Sequence, residues 1–428
     1  NQTVLGRGWT HNHEITAKFN SDGALSMGDR TATEGAVSIV ELFVSSNLLS
    51  DASRPVAKLA SASLSNAWWI SAIVNNTVVV TYQTGSDVYV RQPDGQFTAP
   101  PSTPSTLTLS SGVYSIRMPT GEVFAFNAAG QIVSRTYPGG VTATYTYSSG
   151  KLTGISNGLG RSLTIAYVGD KISTVTDSAG RIVQYGYDGN DNLVSYSNPM
   201  SKVTTYEFDQ PGRMVKYFKP ANPLVPIATT SYDSIGRVLE QLNANGKKWT
   251  YYFAGSRTEQ VSPLGDSLIL YNSRFGAIER VINGVGKEIG IEYDGLNRAV
   301  NSVAPEGNRV VSTYDSNNNI LTKTYVAKPG SGLANIVRTD TYNSMWSKLS
   351  STIDANGNLT NYSIDPATGY LTSVASPAVA GVSATKSFAY NARGQLEYVT
   401  DAGGIVTKFV YDSTTELLLL KVSDYGVG

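Results

Sequence analysis

Tyr232-Asp233-Ser234-Ile235-Gly236-Arg237 is one copy of a pattern that returns about every twenty residues through most of the chain. An aromatic residue precedes Asp or Asn, and Gly followed by Arg or Gln completes the clearest copies. A fixed period of this length is typical of one supersecondary unit stacked many times, so the sequence predicts an array. The steps that define it are Phe126-Asn127, Tyr147-Ser148, Tyr167, Tyr187-Asp188, Phe208-Asp209, Tyr232-Asp233, Phe253, Tyr271-Asn272, Tyr293-Asp294, Tyr314-Asp315, Tyr342-Asn343, Ile364-Asp365, Tyr390-Asn391 and Tyr411-Asp412.

Each unit has the periodicity of a β-hairpin. From Ile182 to Tyr187 the side chains alternate between two faces, as in a strand. In the turn that follows the aromatic residue, Asp or Asn can accept hydrogen bonds from the backbone, and Gly at the fourth position takes the left-handed conformation. Asn297 replaces this Gly in one copy, and Asp209-Gln210-Pro211-Gly212-Arg213 is expected to form the same turn.

A second turn of similar composition lies halfway along each unit, as in Asn243-Ala244-Asn245-Gly246. The predicted fold is therefore all-β, a long antiparallel meander with a turn about every ten residues. Open sheets rarely exceed about ten strands without curling, which favours a meander coiled into a β-shell or an open arc of one. The alternation leaves open whether the tyrosines pack between strands or line a cavity.

The repeats resemble those of the RHS family, whose units are called YD repeats. The resemblance extends from about Gly112 to Val422, and Gly6-Arg7-Gly8-Trp9-Thr10-His11-Asn12 is similar to the segment that leads into RHS cores. A second segment, from Met118 to Phe126, is similar to the beginning of the repeats. The family includes bacterial polymorphic toxins, insecticidal toxin complexes and teneurins. The resemblance implies a hollow β-shell, which the toxin members use to enclose a C-terminal effector.

The chain is predicted to have two parts. Residues 1–110 form a β-rich region without the repeat, with strand candidates at Val37 to Val44, Trp68 to Val74 and Thr77 to Tyr82. Residues 111–428 form the array, and the Pro-rich segment from Pro93 to Pro104 separates the two. Longer spacings predict loop insertions at Lys219 to Ile227, Ala327 to Asn335 and Ala375 to Ala384.

The amino-acid composition argues against several classes of protein. The 33 basic and 33 acidic residues balance, which gives no electrostatic signature of nucleic-acid binding. No apolar run reaches the ~18 residues that a membrane-spanning helix needs. Cysteine is absent, so no disulfide contributes. The chain begins at Asn1, which suggests a processed form or a fragment, and we expect a secreted or extracellular protein of bacterial origin.

Motifs that could carry chemistry are explained better as turns. Gly154-Ile155-Ser156-Asn157-Gly158 imitates a nucleophile elbow, but the only histidines, His11 and His13, lie upstream. The two histidines lack a clear third zinc ligand. The Asp-x-Asn-x-Asn segments that begin at Asp188, Asp315 and Asp354 lack the later residues of a calcium loop. We predict no catalytic, metal or cofactor site, and therefore no enzyme.

The first hypothesis is a non-catalytic scaffold that encloses or displays a cargo or effector, or that joins a further shell chain. The alternative is a cell-surface module that binds a glycan or a protein, with Trp68 and Trp69 as low-priority ligand contacts. A polysaccharide-acting enzyme would rest on β-rich composition alone. The residues assigned to the structural repeat are Tyr187, Asp188, Tyr232, Asp233, Gly236, Arg237, Tyr293, Asp294, Tyr411 and Asp412.

Overall fold

The computed structural model describes residues 2–19, 26–27, 30–31, 56, 60, 63, 76–82, 85–92, 94–100, 103–413 and 416–426. The prediction of an all-β fold is confirmed, because strands account for the regular structure of the repeat region. Two strand candidates, Val37 to Val44 and Trp68 to Val74, lie outside the described residues, whereas Thr77–Tyr82 is a strand. No helix in the described part of the chain is long and apolar enough to cross a membrane.

Contacts between residues divide the chain into two units, Asn12–Thr144 and Asn1–His11 together with Tyr145–Gly428. The predicted boundary near residue 110 concerns where the repeats begin, and it stays a prediction. Strands outside the long meander are β1 (Gln2–Thr3), β2 (Gly6–Arg7), β3 (Thr16–Phe19), β4 (Ser26–Met27), β5 (Arg30–Thr31), β6 (Thr77–Tyr82), β7 (Gly85–Arg91) and β8 (Phe97–Thr98).

In the unit Asn12–Thr144, a four-stranded antiparallel sheet in the order β3-β6-β7-β8 packs against the first strands of the meander. Phe19 of β3 stacks on Tyr114 with ring centroids 4.0 Å apart, and Tyr82 meets Phe124 edge to face. Burial of aromatic and aliphatic side chains from both sheets stabilises this unit. Its buried core includes Val78, Val80, Tyr89, Leu107, Ile116, Phe124, Phe126 and Ile132.

The remaining thirty strands form one antiparallel meander in which each strand neighbours the next along the chain. It is open, since no residue register joins its first strand to its last among the described residues. The strands are β9 (Thr106–Ser110), β10 (Val113–Arg117), β11 (Val123–Phe126), β12 (Ile132–Thr136), β13 (Thr142–Ser148), β14 (Lys151–Ser156), β15 (Ser162–Val168), β16 (Lys171–Asp177), β17 (Ile182–Tyr187), β18 (Leu193–Ser197), β19 (Val203–Gln210), β20 (Arg213–Phe218), β21 (Ala228–Tyr232), β22 (Val238–Asn243), β23 (Lys248–Ala254), β24 (Arg257–Val261), β25 (Ser267–Asn272), β26 (Ile278–Ile282), β27 (Glu288–Tyr293), β28 (Ala299–Val303), β29 (Arg309–Tyr314), β30 (Ile320–Val326), β31 (Ile336–Tyr342), β32 (Leu349–Ile353), β33 (Leu359–Ile364), β34 (Leu371–Ala375), β35 (Thr385–Tyr390), β36 (Leu396–Thr400), β37 (Val406–Tyr411) and β38 (Leu418–Val422).

Alternate turns of an antiparallel meander lie on opposite edges. We call the turns that follow β13, β15 and the later odd-numbered strands the tyrosine-side rim, because repeat aromatic residues precede them. The turns that follow β14, β16 and the later even-numbered strands form the opposite rim. All three predicted insertions lie on the opposite rim, between β20 and β21, β30 and β31, and β34 and β35. Longer loops there leave the repeat turns of the tyrosine-side rim undisturbed.

The unit that contains the repeats has few fully buried side chains. Buried apolar residues occur near its beginning, up to Leu193, but beyond Leu193 only Trp346 belongs to this class among the described residues. Most strand residues on both faces are half-buried. The array is therefore held mainly by ladder hydrogen bonds and by contacts between neighbouring hairpins.

Candidate functional site

Hydrogen bonds from several repeat tyrosines link a hairpin to the preceding one. The hydroxyl of Tyr293 donates to the carbonyl of Ile278 at 2.9 Å, and Tyr187 donates to Ile172 at 2.8 Å. The acceptor is fifteen residues earlier in both cases, at the beginning of the strand after the previous tyrosine-side turn. Equivalent bonds join Tyr167 to Leu152, Tyr232 to Met214, Tyr314 to Ala299, Tyr390 to Leu371 and Tyr411 to Leu396. The tyrosine thus ties neighbouring units together through ring and hydroxyl.

The residue after the tyrosine organises the turn. Oδ1 of Asp233 accepts hydrogen bonds from the N–H groups of Ile235 and Arg237 at 3.0 and 2.8 Å, and Gly236 has a φ of 85°. A register shift between Ser231 and Tyr232 marks a β-bulge next to this turn. Asp188 and Asp294 accept backbone N–H groups in the same positions, and Asn297 has a φ of 59°. The turn geometry expected from the sequence is confirmed at these positions.

Two copies differ from the expected alignment. The turn after Phe208 contains only Pro211 and Gly212, because Gln210 pairs with Arg213, and Asp209 contacts the Arg213 guanidinium. Proline at the first turn position and left-handed glycine at the second favour this shorter turn. In the other copy Ser273 organises the turn, accepting from Phe275 and Ala277. The pair Tyr271-Asn272 is therefore displaced by one residue from the repeat position, and that assignment was wrong.

Arginine at the end of the turn connects two units. Arg298 contacts Asp294 of its own turn at 2.7 Å, and its guanidinium lies 4.9 Å from the ring centroid of Tyr314 in the next hairpin. Arg237 likewise contacts Asp233 and lies 5.0 Å from the Phe253 ring. An arginine held by a carboxylate and placed over an aromatic face combines an ion pair with a cation–π contact. We call the tyrosine, the turn carboxylate and this arginine the inter-repeat brace.

Asparagine replaces arginine in the segments that imitate a calcium loop. The Asn192 amide is almost fully buried, donates to Oδ2 of Asp188 at 2.8 Å and accepts from the N–H of Gly212 in the next turn at 2.6 Å. Asn319 and Asn358 donate to Asp315 and Asp354 in the same way. These amides direct N–H groups toward the carboxylates, which is the orientation of a turn cap.

The electrostatics of the brace follow from these contacts. The N–H of Arg237 is the largest cause that lowers the pKa of the Asp233 carboxyl from its ordinary value of 3.8; burial opposes it, and the Arg237 guanidinium lowers the pKa further. In the same brace, burial raises the pKa of the Tyr232 hydroxyl. Burial also raises the pKa of Tyr187 and that of Tyr147, the latter to about 12. The Asp233 carboxylate is therefore charged and the Tyr232 hydroxyl protonated at neutral pH.

The amino-terminal segment packs on the first repeats. Lys171 donates to the carbonyl of Thr3 at 3.1 Å, and Trp9 meets Tyr206 with ring centroids 5.1 Å apart. A Cβ on Gly6 would lie 2.7 Å from the carbonyl oxygen of Asp191, so only glycine fits there. The Gly-Arg-Gly-Trp segment thus has a structural position against the array.

The other sequence-predicted candidates give no assembled site. Trp68 and Trp69 lie outside the described residues, so glycan or protein binding by them stays a prediction. His11 and His13 belong to no group of three or more metal-ligating side chains in the described part of the chain. Ser156, the residue of the apparent nucleophile elbow, accepts the N–H of Gly158 in an opposite-rim turn.

The comparisons with known proteins agree with the repeat geometry. The family model described as RHS Repeat matches residues 126–162. Residues 126–162 therefore carry an RHS repeat. The curated relative "Probable deoxyribonuclease RhsB" of Dickeya dadantii (strain 3937) is 22% identical over 179 residues, which are 36% of this chain and 12% of the relative.

One solved structure shows a similar fold at low identity. The Photorhabdus luminescens Tc holotoxin pore carrying a TccC3 mutation matches with a TM-score of 0.50 and 10% identity, over 78% of this chain and 22% of that chain. A crystal structure of TcdB2-TccC3 without its hypervariable C-terminal region is also similar, with a TM-score of 0.41 and 11% identity, over 85% and 23% of the two chains. The chain spans a small part of the length of the proteins it matches.

Proposed function

We propose that this RHS array is a non-catalytic scaffold, a segment of a β-shell that encloses a cargo or effector. The observation that carries the proposal is a contact between two distant turns within the compact unit that contains Tyr145–Gly428. Arg161, after β14, lies 3.3 Å from Glu416, after β37, although these turns are twenty-three strands apart in the meander. A flat sheet with strands ~4.8 Å apart would separate them by ~110 Å. The sheet must coil to bring them together.

The single-layered character of the array supports the same function. Because most strand residues beyond Leu193 are half-buried on both faces, no second layer of the described residues covers either face. Coiling such a sheet gives one face directed inward, with room for another polypeptide. The weak burial also explains why neighbouring hairpins need the brace.

The use of the recurrent carboxylates supports a scaffold without catalysis. Asp188, Asp233 and Asp294 each accept two backbone N–H groups and a side-chain donor in their own turns. Such carboxylates are committed to holding the turn instead of exchanging protons with a substrate.

The remaining parts of the proposal come from the relatives. The matched proteins include a probable deoxyribonuclease and a toxin complex from bacteria, each much longer than this chain. We infer a bacterial, secreted protein whose cargo or effector, or whose further shell chain, is supplied by polypeptide outside these repeats. No cofactor is part of this function.

Protection of a tethered peptide tests the enclosing role. A disordered reporter peptide with a site for a sequence-specific protease would be fused after Gly428, and its cleavage would be compared with that of the same reporter on a compact carrier of similar mass. Enclosure predicts much slower cleavage on the RHS chain. Equal cleavage rates on the two carriers, with the array still folded, would contradict the proposal.

A further inference from the structure

Glu416 lies at the meeting point of three turns. Its Oε2 accepts a hydrogen bond from Nδ2 of Asn157 at 3.3 Å and faces Nε of Arg161 at 3.3 Å. Its Oε1 lies 3.9 Å from Nη1 of Arg393, in the preceding tyrosine-side turn. The carboxylate is only 12% exposed, and Oε1 accepts no hydrogen bond from the described residues. A largely buried carboxylate with one oxygen that accepts no hydrogen bond carries a desolvation cost, and the turn could close without this side chain.

The backbone at Glu416 supports a role beyond the turn. Glu416 has a φ of 56°, in the left-handed region that side chains other than Gly, Asn and Asp seldom adopt. Two other turns have the same backbone hydrogen bonds and length, and the equivalent residue is Gly369 with a φ of 71° in one and Ser347 with a φ of 46° in the other. A strained glutamate where glycine would be relaxed is the kind of outlier that suggests function.

Asn157 has the side chain that a contact with Glu416 needs. Oδ1 of Asn157 accepts from the N–H groups of Leu159 and Arg161, which leaves its Nδ2 to donate to Glu416. Asp177 makes the same two backbone contacts in the next opposite-rim turn, so aspartate would close the turn equally well. At position 157, however, aspartate would place two carboxylates against each other.

We propose that Glu416, Asn157, Arg161 and Arg393 form a latch that holds the tyrosine-side rim of the last hairpin on the opposite rim of the first repeats. The latch sets whether the coil stays shut. The idea that the latch controls access to the interior rests on the proposed enclosing function. The existence of the latch contact does not depend on that function.

The test measures the distance between the two rims. Because the chain contains no cysteine, spin labels can be placed at Ser178→Cys and Ala392→Cys, both exposed positions in turns beside the latch. The parent chain should give one narrow distance distribution by pulsed electron paramagnetic resonance. Asn157→Asp and Glu416→Gln should each shift the distribution to longer distances and broaden it. The double variant should restore the parent distribution, because the amide introduced at position 416 can donate to the carboxylate introduced at position 157.

Two controls separate the latch from turn stability. Asn243→Asp makes the matched change in a turn whose asparagine also accepts two backbone N–H groups but contacts no glutamate among the described residues. This variant should leave the distances unchanged. Glu416→Gly relieves the strained φ and removes the carboxylate, so the melting temperature should hold or rise while the rims separate. Parent-like distances in Asn157→Asp and Glu416→Gln would overturn the latch, as would failure of the double variant to restore them.

The reporter assay on the same variants distinguishes the two proposals. If the rims separate in Asn157→Asp and the reporter becomes cleavable, both proposals are supported. If the reporter is freely cleaved in the parent chain while its distance distribution is narrow, the enclosing function fails and the latch stands.

Discussion

At the scale of the residue, the repeat tyrosine is a connection between hairpins. The sequence left open whether the aromatic residues pack or recognise a ligand, because strand alternation places them on a face without saying what covers it. In the structure, the Tyr293 ring is half-buried and its hydroxyl is bonded to the preceding hairpin. Seven tyrosines make this bond in the described part of the chain. No local sequence pattern predicts it, because its acceptor is a backbone carbonyl fifteen to nineteen residues away.

Two substitutions of Tyr293 distinguish the contribution of its hydroxyl to stability from that of its ring. Tyr293→Phe should lower the free energy of unfolding by about 0.5 to 1.5 kcal/mol, since one hydrogen bond is lost. Tyr293→Ala should lower it by about 2 to 3 kcal/mol, because burial of a half-exposed ring is lost as well. Urea denaturation measures both changes. Tyr252→Phe is the matched control, because that ring is 53% exposed, and a loss as large there as at Tyr293 would contradict the brace.

The turn carboxylates predict acid sensitivity. The pKa values of Asp233 and Asp354 are lowered in the folded chain, by the N–H and guanidinium of Arg237 and by Asn358 respectively. The unfolded chain therefore takes up these protons first, and the stability they contribute is present above about pH 4 and lost as the pH falls further. Melting temperatures measured from about pH 6 to about pH 3 should fall less steeply for Asp233→Asn/Asp354→Asn, since Asn243 shows that an amide closes such a turn. An unchanged slope would count against this account.

At the scale of the element, the hairpin was largely predictable. Strand alternation, Asp or Asn at the turn and left-handed Gly236 are local properties, and the structure confirms them. The failures at Asp209 and Asn272 came from residues that alter turn length, namely Pro211 in the first case and Ser273 in the second. The six-residue turn at Asn343 was also missed. Its extra residue allows Trp346 to pack against Gly369 of the next such turn, a contact between units that composition does not reveal.

Substitutions at Gly236 and Gly394 distinguish the cost of backbone strain from the cost of a steric overlap. Gly236→Ala should cost about 1 to 2 kcal/mol, because its φ is 85° and nothing lies near the added Cβ. Gly236→Asn should cost less, as Asn297 adopts the same conformation. Gly394→Ala should cost more than Gly236→Ala, because its Cβ would overlap the Tyr370 hydroxyl. Thermal or urea unfolding ranks the three variants, and equal costs for Gly236→Ala and Gly394→Ala would contradict the packing of Tyr370 on that turn.

At the scale of the whole molecule, the course of the sheet depends on contacts between distant hairpins and not on any one hairpin. Strand twist and strand number predicted that the sheet would curl, but its extent depends on contacts such as Asn157 with Glu416, 259 residues apart. No local motif identifies such partners. Ligand binding by Trp68 and Trp69 stays a prediction. The three insertions were predicted as loops, and their common placement on the opposite rim follows from the meander.

Small-angle X-ray scattering of the full chain tests the central claim most directly, namely that the braced hairpins coil back on themselves. A flat meander of thirty strands would be ~140 Å long at ~4.8 Å per strand. The coiled array predicts a maximum dimension well below that length and a broad, single-peaked distribution of interatomic distances. A rod-like distribution extending to ~140 Å or more would contradict the account.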